Sequence, residues 1–117
     1  MKKRTESSIV TSILRYLQVL ENSGKIAWVD RLNSGRMVFK RGNKFQSIRM
    51  CRPGTPDIIC LLKTGGVIWL EVKTDTGKQE IEQHHFESMI SKLPMHHYFI
   101  VRNVDEVVKI IGDPNRP

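Results

Sequence analysis

The sequence has few of the features that stabilise small secreted proteins or anchor proteins in membranes. Its only cysteines are Cys51 and Cys60, too few for a disulfide framework and not spaced as Cys-x-x-Cys, so we expect two reduced thiols. It has no run of about 18 apolar residues that could form a transmembrane helix. No apolar signal core follows the basic N-terminus. We therefore expect an intracellular, cytoplasmic protein with no membrane partner.

Several signatures of catalysis and ligand binding are also missing. The chain has no Gly-rich phosphate loop, no nucleophile elbow and no internal repeat. Its four histidines form two adjacent pairs, at 84–85 and 96–97, and neighbouring residues share neither a helix face nor a strand face. We interpret them as surface or packing residues. The aromatic residues, 7% of the chain, are not interleaved as a base-stacking platform requires, which favours duplex or branched DNA over single strands.

What the chain does have is a concentrated positive charge. Residues 25–52 carry eight Lys or Arg residues and one Asp, so this segment alone has the net charge of the whole chain, +7. The concentration predicts a polyanionic partner, and a solvated basic surface is the alternative. Polar turn residues in this segment can either contact phosphate or simply form a turn. The candidate nucleic-acid contacts here are Arg31, Asn33, Arg36, Lys40, Arg41, Lys44, Arg49 and Arg52.

The apolar pattern predicts one domain over residues 1–117, with a core at about 5–111 and a tail at 112–117. We predict helices at 5–21, about 79–93 and 104–111, a first strand at 25–31, a basic hairpin or flap at 37–50, and a last strand at 96–102. Ile26, Trp28 and Asp30 are expected to share one face of the first strand. The fold class is α/β, a mixed central sheet with helices on both faces.

Two apolar runs rich in β-branched residues lie on either side of residues 63–66 and predict a hairpin of two central strands. Asp57, Glu71 and Lys73 interrupt this apolar context. Charged residues are rarely buried unless they are paired or bind a metal. Glu71 and Lys73 are two residues apart, so they share a face of their strand.

The register of the hairpin decides whether Asp57 joins them. If Leu62 lies opposite Val67, Asp57 faces the other side of the sheet; if Leu61 lies opposite Val67, Asp57 pairs with Glu71. We predict the second register. It requires a loop of odd length with a left-handed Gly and a bulge.

Two carboxylates that converge beside a lysine form an oxygen-type site for Mg²⁺, for which Mn²⁺ can substitute. We expect Asp57 and Glu71 to hold the cation, with the Val72 carbonyl as a further ligand. Such a site can polarise a phosphoryl oxygen and activate water, and Lys73 can orient that nucleophile. The alternative is a buried structural ion pair between Lys73 and one of the carboxylates.

This pattern resembles the PD-(D/E)XK nuclease superfamily, because Pro56 and Asp57 match the first part of its motif and residues 71–73 match the second. More narrowly, residues 5–110 resemble a stand-alone VRR-NUC domain. The supporting matches are Arg31, Leu32, Asn33, Ser34 and Gly35 upstream, Gly54 and Thr55 before the motif, and Gly77, Lys78 and Gln83 downstream.

The resemblance implies a restriction-endonuclease-like core of αβββαβ order. It implies a Mg²⁺-dependent endodeoxyribonuclease that cuts branched DNA, such as four-way junctions. Two cuts in one junction need two active sites, so a homodimer follows. The stand-alone members of the family suggest a phage-encoded protein acting in the cytoplasm of a bacterial host. The alternatives are a non-catalytic nucleic-acid-binding module, or a general or nicking nuclease on linear duplex DNA.

Three residues on the helices or at their ends have further expected roles, from the resemblance or from their positions. Gln83 is expected to face the active site as a supporting catalytic residue, and a solvent-exposed polar residue is the alternative. Glu6 lies within the apolar stripe of the first helix. It is either a third metal-binding carboxylate or an acid favoured by the helix dipole. Lys78, at the expected start of the second helix, is a candidate phosphate contact.

Overall fold

The computed structural model describes residues 5–32 and 36–112 of the chain. Its mixed α/β architecture confirms the expected fold class. The described residues form, in chain order, α1 (Glu6–Asn22), β1 (Trp28–Arg31), β2 (Arg36–Arg41), β3 (Lys44–Arg49), β4 (Ile58–Leu61), β5 (Val67–Val72), α2 (Ile81–Ile90), β6 (His96–Val101) and α3 (Val104–Ile111).

Four of the strands form one mixed sheet in the order β1-β4-β5-β6. β4 runs antiparallel to both of its neighbours, whereas β6 is parallel to β5. Parallel neighbours need a crossover connection, and α2 provides it. β4 and β5 are the two central strands, as their apolar runs predicted. With the β2–β3 hairpin left aside, the order is helix, three strands, helix, strand and a final helix.

Helices lie on both faces of the sheet. Ile68, Leu70 and Val72 of β5 alternate into the main core, which they share with buried residues of α1 and α3. Trp69 points the other way, and its ring centroid is 5.1 Å from that of Phe86 in α2. Because Glu71 is two residues from Trp69, it lies on the α2 face. The main core consists of Ile9, Val10, Ile13, Leu17, Ile26, Val29, Ile58, Cys60, Ile68, Leu70, Val72, Val101 and Val107.

Local sequence signals set the ends of α1 within one residue of the prediction. The Thr5 hydroxyl accepts a hydrogen bond from the backbone N–H of Ser8, at 3.1 Å, and caps the helix. Gly24, with φ 79°, takes the chain out of the helix, and its N–H donates to the carbonyl of Glu21. Between these ends the apolar stripe of α1 is buried. Glu6 therefore occupies the first turn.

The β4–β5 hairpin has the odd register that we predicted. Leu61 pairs with Val67, and Ile58 pairs with Leu70. The N–H of Gly65 donates to the carbonyl of Leu62, at 3.0 Å, and Gly65 has φ 96°, as a turn with a left-handed Gly requires. Continued by one residue, this register sets Asp57 opposite Glu71.

The basic segment forms the predicted hairpin. β2 and β3 pair along their whole length, from Arg36 opposite Arg49 to Arg41 opposite Lys44. Gly42, with φ 64°, takes the first of the two turn positions, where a type II′ hairpin turn requires a positive φ. Leading out of the hairpin, the N–H of Thr55 donates to the carbonyl of Arg52, at 3.2 Å. The chain then enters β4 through Pro56 and Asp57.

The first strand is shorter than predicted, and its faces differ from the prediction. β1 begins at Trp28 rather than at residue 25. Trp28 is 44% exposed, while Val29 is buried. Ile26 is buried as well, because the chain turns into the core directly after α1 and before the strand pairing begins. Ile26 therefore precedes the strand, and the prediction that it shares a face of the first strand with Trp28 was wrong.

The second helix is also shorter than the predicted 79–93. It begins at Ile81 and ends at Ile90, which is its only buried residue. Met89 and Leu93, two of its apolar residues within the predicted range, are 46% and 40% exposed. Cys60 is buried, and burial, followed by the charge of Glu21, raises the pKa of its thiol to about 11. Within residues 5–32 and 36–112 no helix is long and apolar enough to cross a membrane.

Candidate active site

Asp57 and Glu71 form a carboxylate pair at one edge of the central strands. Asp57 directly precedes β4, and its Oδ2 accepts a hydrogen bond from the backbone N–H of Val72, at 2.7 Å. This bond holds the half-buried Asp57 against the end of β5. Glu71, on β5, is only 3% exposed. The register thus brings together two acids that lie fourteen positions apart in the sequence.

The environment of Glu71 strongly favours its protonated form. Burial, the nearby charge of Asp57 and a hydrogen bond with Asp57 raise the pKa of Glu71 to about 8, and Glu6 adds to the shift. Lys73 acts in the opposite direction but offsets only part of the increase. At neutral pH the carboxylate pair consequently holds one proton.

Lys73 lies between this pair and α1. Its Nζ is 3.7 Å from Oε2 of Glu71 and 4.0 Å from Oε1 of Glu6. The residue is 7% exposed, so the ammonium group is held close to the acids rather than in bulk water. Its backbone N–H donates to the carbonyl of Val101, at 3.0 Å, which fixes the chain just beyond β5. One ammonium group thus lies within 4.0 Å of two acidic side chains, Glu71 and Glu6, while Asp57 adjoins Glu71.

The donor chemistry of the pair fits a hard divalent cation such as Mg²⁺ or Mn²⁺. Mg²⁺ is commonly held by one or two carboxylates, with water and substrate phosphate completing its shell. In residues 5–32 and 36–112 no group of three or more His, Cys, Asp or Glu side chains is arranged to hold a metal. Glu6, whose side chain is 55% exposed, contacts Lys73 rather than completing such a group. A ligand role for the Val72 carbonyl remains a prediction.

A loop held by Arg102 supports the stem of Lys73. Arg102 Nη1 donates to the carbonyl of Thr74 and, at 3.0 Å, to that of Gly77. A Cβ on Gly77 would lie 3.4 Å from both Cβ and Cδ of Lys73, so the loop backbone packs directly on the lysine stem. Arg102 therefore helps to position Lys73. It was not among the predicted site residues, because its partners are backbone carbonyls that no sequence motif marks.

A second network borders the carboxylate pair on the α2 face. Gln79 Nε2 donates to the hydroxyl of Tyr98, at 3.1 Å, and to Oε1 of Glu87, at 3.0 Å. Burial, with smaller contributions from the charges of Glu71, Glu87 and Asp57, raises the pKa of Tyr98 to about 12, although the hydrogen bond with Gln79 acts in the opposite direction. Sequence reasoning missed Tyr98. The signal available was its place in the last strand, which the parallel register sets opposite Trp69.

The glutamine that we predicted at the site has another structural task. Gln83 Oε1 accepts a hydrogen bond from the backbone N–H of Glu80, at 2.8 Å, as part of a capping box at the start of α2. Its carbonyl oxygen is therefore occupied in capping the helix. Lys78 is exposed in the loop two residues before that cap and does not lie within the helix. Gln79, rather than Gln83, is the glutamine that contacts the network beside the carboxylates.

Apart from Asn33, the nucleic-acid contacts predicted within residues 25–52 are all exposed. Arg31 ends β1, and Arg52 lies in the loop after the β2–β3 hairpin. Asn33, with the turn predicted at residues 33–35, lies outside the described residues. The remaining contacts belong to the hairpin itself: Arg36, Lys40, Arg41, Lys44 and Arg49.

The two carboxylates supply oxygen donors of the kind that divalent cations prefer, the ammonium group of Lys73 lies beside Glu71, and the connection that contains the basic hairpin ends at Asp57. Each of these groups is contributed by a different part of the chain: the start of β4, the end of β5, and the connection between β1 and β4. Comparison of the chain with protein-family models, with curated proteins and with solved structures finds no match.

Proposed function

We propose that this protein is a metal-dependent endonuclease that hydrolyses DNA phosphodiesters. The observation that carries the proposal is the convergence of Asp57 and Glu71 beside Lys73, where burial and the charge of Asp57 raise the pKa of Glu71 to about 8. A buried ion pair alone does not account for this arrangement, because the acids outnumber the ammonium group. Perturbed pKa values in paired acids are typical of functional sites.

The roles of the side chains follow from their positions. A bound Mg²⁺, or Mn²⁺ in its place, supplies positive charge that polarises a phosphoryl oxygen and lowers the pKa of water. Asp57 and Glu71 bind that cation through their carboxylate oxygens. Lys73 donates hydrogen bonds to the attacking water or to the phosphoryl oxygen that gains negative charge. Glu6 and the Arg102-bound loop orient the lysine.

The fold order supports a finer assignment. Without the β2–β3 hairpin, the order of α1, β1, β4, β5, α2 and β6 is that of a restriction-endonuclease-like PD-(D/E)XK core. Pro56 and Asp57 precede the first central strand, and Glu71, Val72 and Lys73 end the second, as that motif requires. We include in the proposal the VRR-NUC-like substrate class, branched DNA such as four-way junctions, and the homodimer that cutting both strands of a junction demands.

Replacement of Asp57 tests the proposal. We expect Asp57→Asn to reduce Mg²⁺-dependent cleavage of labelled DNA by at least about 100-fold, because the cation loses a charged ligand. The asparagine Oδ1 can still accept the hydrogen bond from Val72, so the fold and the affinity for DNA should be unchanged. Cleavage in Mg²⁺ and in EDTA, together with fluorescence anisotropy of DNA binding, measures both properties.

Asp105→Asn is the matched control, since Asp105 is an exposed acid on α3. It should cut as the unchanged protein does. If the unchanged protein and Asp57→Asn bind DNA equally and neither cuts it in Mg²⁺ or Mn²⁺, the proposal is wrong. The protein would then be a non-catalytic nucleic-acid-binding module.

A further inference from the structure

The β2–β3 hairpin, called the arm from here on (residues 36–49), leaves the sheet beside the carboxylate pair. β1 ends at Arg31, which pairs with Ile58 at the start of β4. The N–H of Leu32 donates to the carbonyl of Asp57, at 2.7 Å, so the connection that contains the arm ends at the candidate active site. The connection that contains the arm is therefore joined to the sheet next to that site.

The arm has little support of its own from the rest of the protein. Every residue of β3, and all of β2 except Phe39, is exposed. Neither strand packs extensively against any other element of the described chain. An isolated two-stranded hairpin is marginally stable in water. These strands are therefore free to contact a partner on either face.

The pairing of the arm concentrates like charges. Arg36 lies directly opposite Arg49, and Arg41 lies directly opposite Lys44. Like charges at such positions destabilise a hairpin. The arm contains five Lys or Arg residues and no Asp or Glu, so no internal acid relieves the repulsion. A polyanion would relieve it, which favours nucleic acid over a second copy of the same basic arm.

The register divides the basic residues between the two faces. Directly paired residues share a face and faces alternate along each strand, so Arg36, Lys40 and Arg49 lie on one face. Phe45, 76% exposed, is on the same face. The guanidinium of Arg36 donates to the hydroxyl of Ser47 through Nε at 3.1 Å and Nη2 at 2.9 Å. The opposite face carries Met37, Phe39 and Ile48, with Arg41 and Lys44 near the turn.

We propose that the arm lies in the major groove of duplex DNA with the face of Arg36, Lys40 and Arg49 against the DNA. A two-stranded ribbon fits the roughly 12 Å width of that groove. Exposed Phe45 supplies an apolar contact for base edges such as the thymine methyl group. The choice of DNA among polyanions rests on the proposed nuclease function, whereas the face is chosen because the register places three of the five basic residues of the arm on it.

DNA binding by a variant that is expected not to cleave DNA tests this placement separately from the nuclease activity. We would measure the anisotropy of a labelled 30-base-pair duplex with Asp57→Asn protein, without metal, over a range of NaCl concentrations. A protein that combines Asp57→Asn with Arg36→Gln, Lys40→Gln and Arg49→Gln should bind the duplex at least tenfold more weakly in 0.1 M salt. It should also reduce the slope of log K against log salt by about 2 to 3, because three phosphate contacts are lost.

Two control proteins locate the effect. The first control protein combines Arg15→Gln, Lys63→Gln and Lys92→Gln, which remove the same charge from exposed positions outside the arm. The second combines Arg41→Gln and Lys44→Gln, which lie on the other face of the arm. Both should keep at least two-thirds of the salt slope. Equal losses in all three proteins would overturn the proposal, since net charge alone would then explain binding. A larger loss in the Arg41 and Lys44 protein would overturn the assignment of the face.

Guanine N7 protection tests the groove without altering the arm. Bound Asp57→Asn protein should protect N7 from dimethyl sulfate, because N7 is exposed in the major groove. Double-stranded RNA should bind at least tenfold more weakly, since its major groove is too deep and narrow for a ribbon. No protection, or equal affinity for double-stranded RNA, overturns the groove placement. If N7 is protected but the unchanged protein does not cleave DNA, the proposed placement of the arm stands and the proposed nuclease function is wrong.

Discussion

Glu71 is the residue at which folding and the proposed chemistry conflict most directly. It is 3% exposed, and it shares its surroundings with the Asp57 carboxylate. Burying two neighbouring acids costs free energy unless a proton or a cation compensates their charge. Lys73, 3.7 Å away, compensates only in part. A protein with no use for this pair would be more stable with an apolar or amide side chain there.

The stability of the metal-free protein should therefore depend on pH through Glu71. Its pKa rises from 4.5 to about 8 on folding. The contribution of Glu71 to folding is thus most favourable below about pH 4.5, and it declines as pH rises to 8. The decline amounts to about 3–5 kcal/mol. Urea unfolding in EDTA at pH 5, 6.5 and 8 measures it.

Glu71→Gln provides the comparison. Because the amide does not titrate, the stability difference between this variant and the unchanged protein should grow in favour of the variant from pH 5 to pH 8. Parallel pH profiles of the two proteins would contradict the raised pKa of Glu71.

At the residue scale, the sequence predicted which acids meet but not every side chain around them. The hairpin register follows from the loop, because a left-handed Gly65 allows the odd pairing that joins Asp57 to Glu71. Gln83 was given a role at the site from resemblance alone. The structure uses its side-chain oxygen in the capping box, a local interaction that competes for the same group. Tyr98 reaches the site only through the long-range pairing of β6 with β5.

At the scale of elements, the loop before Asp57 is anchored against the first turn of α2. A Cβ on Gly54 would lie 2.4 Å from the backbone oxygen of Glu82, and Gly54 has φ 91°. No side chain fits there without moving either the helix or the loop. The loop carries Pro56 and Asp57 into β4, so its position determines where the first carboxylate lies.

Gly54→Ala should accordingly destabilise the protein by about 3 kcal/mol or more, through both the clash and the left-handed backbone. Gly42→Ala is the matched comparison. Gly42 also has a positive φ, 64°, but nothing lies within 4 Å of an added Cβ. That change should cost only about 1 kcal/mol. Thermal or urea unfolding of both variants gives the difference, and equal costs would argue against the loop–helix contact.

Element types could be predicted from apolar periodicity, whereas some ends and faces could not. α1 and α3 have strong apolar stripes and recognisable caps, and both were located within one residue. The predicted start of β1 was wrong because Ile26 is buried by the turn after α1 and not by strand alternation. The predicted start of α2 was wrong because Glu80 is its N-cap residue, and Glu is not one of the residues that usually mark an N-cap.

At the scale of the whole molecule, the mixed sheet brings the site together from distant parts of the chain. The antiparallel pairing of β4 with β5 brings the two acids together. The parallel strand β6 contributes Tyr98, and Arg102, directly after β6, binds the loop that supports Lys73. The sequence order of helices and strands predicted this mixed sheet. The separation of the arm from the sheet could not be predicted from the sequence, because it depends on whether other elements pack against the arm.

Cleavage of branched DNA tests the proposal at this scale. Because residues 5–32 and 36–112 of each chain supply one carboxylate pair of this kind, we expect paired cuts in a four-way junction to require two copies. We expect the protein to elute as a dimer and to make symmetrical cuts in the junction faster than in a matched linear duplex. A monomer that introduces single nicks, or equal rates on both substrates, would contradict junction resolution but not phosphodiester hydrolysis.

The most direct test of the central claim is the single-turnover rate of DNA cleavage as a function of Mg²⁺ concentration. Glu71→Gln should be at least about 100-fold slower and should require more Mg²⁺, because one of its two charged ligands is lost. Glu82→Gln, which alters an exposed acid on α2, should match the unchanged protein. Equal rates and equal Mg²⁺ dependence in Glu71→Gln and the unchanged protein would contradict the claim that the paired carboxylates carry the chemistry.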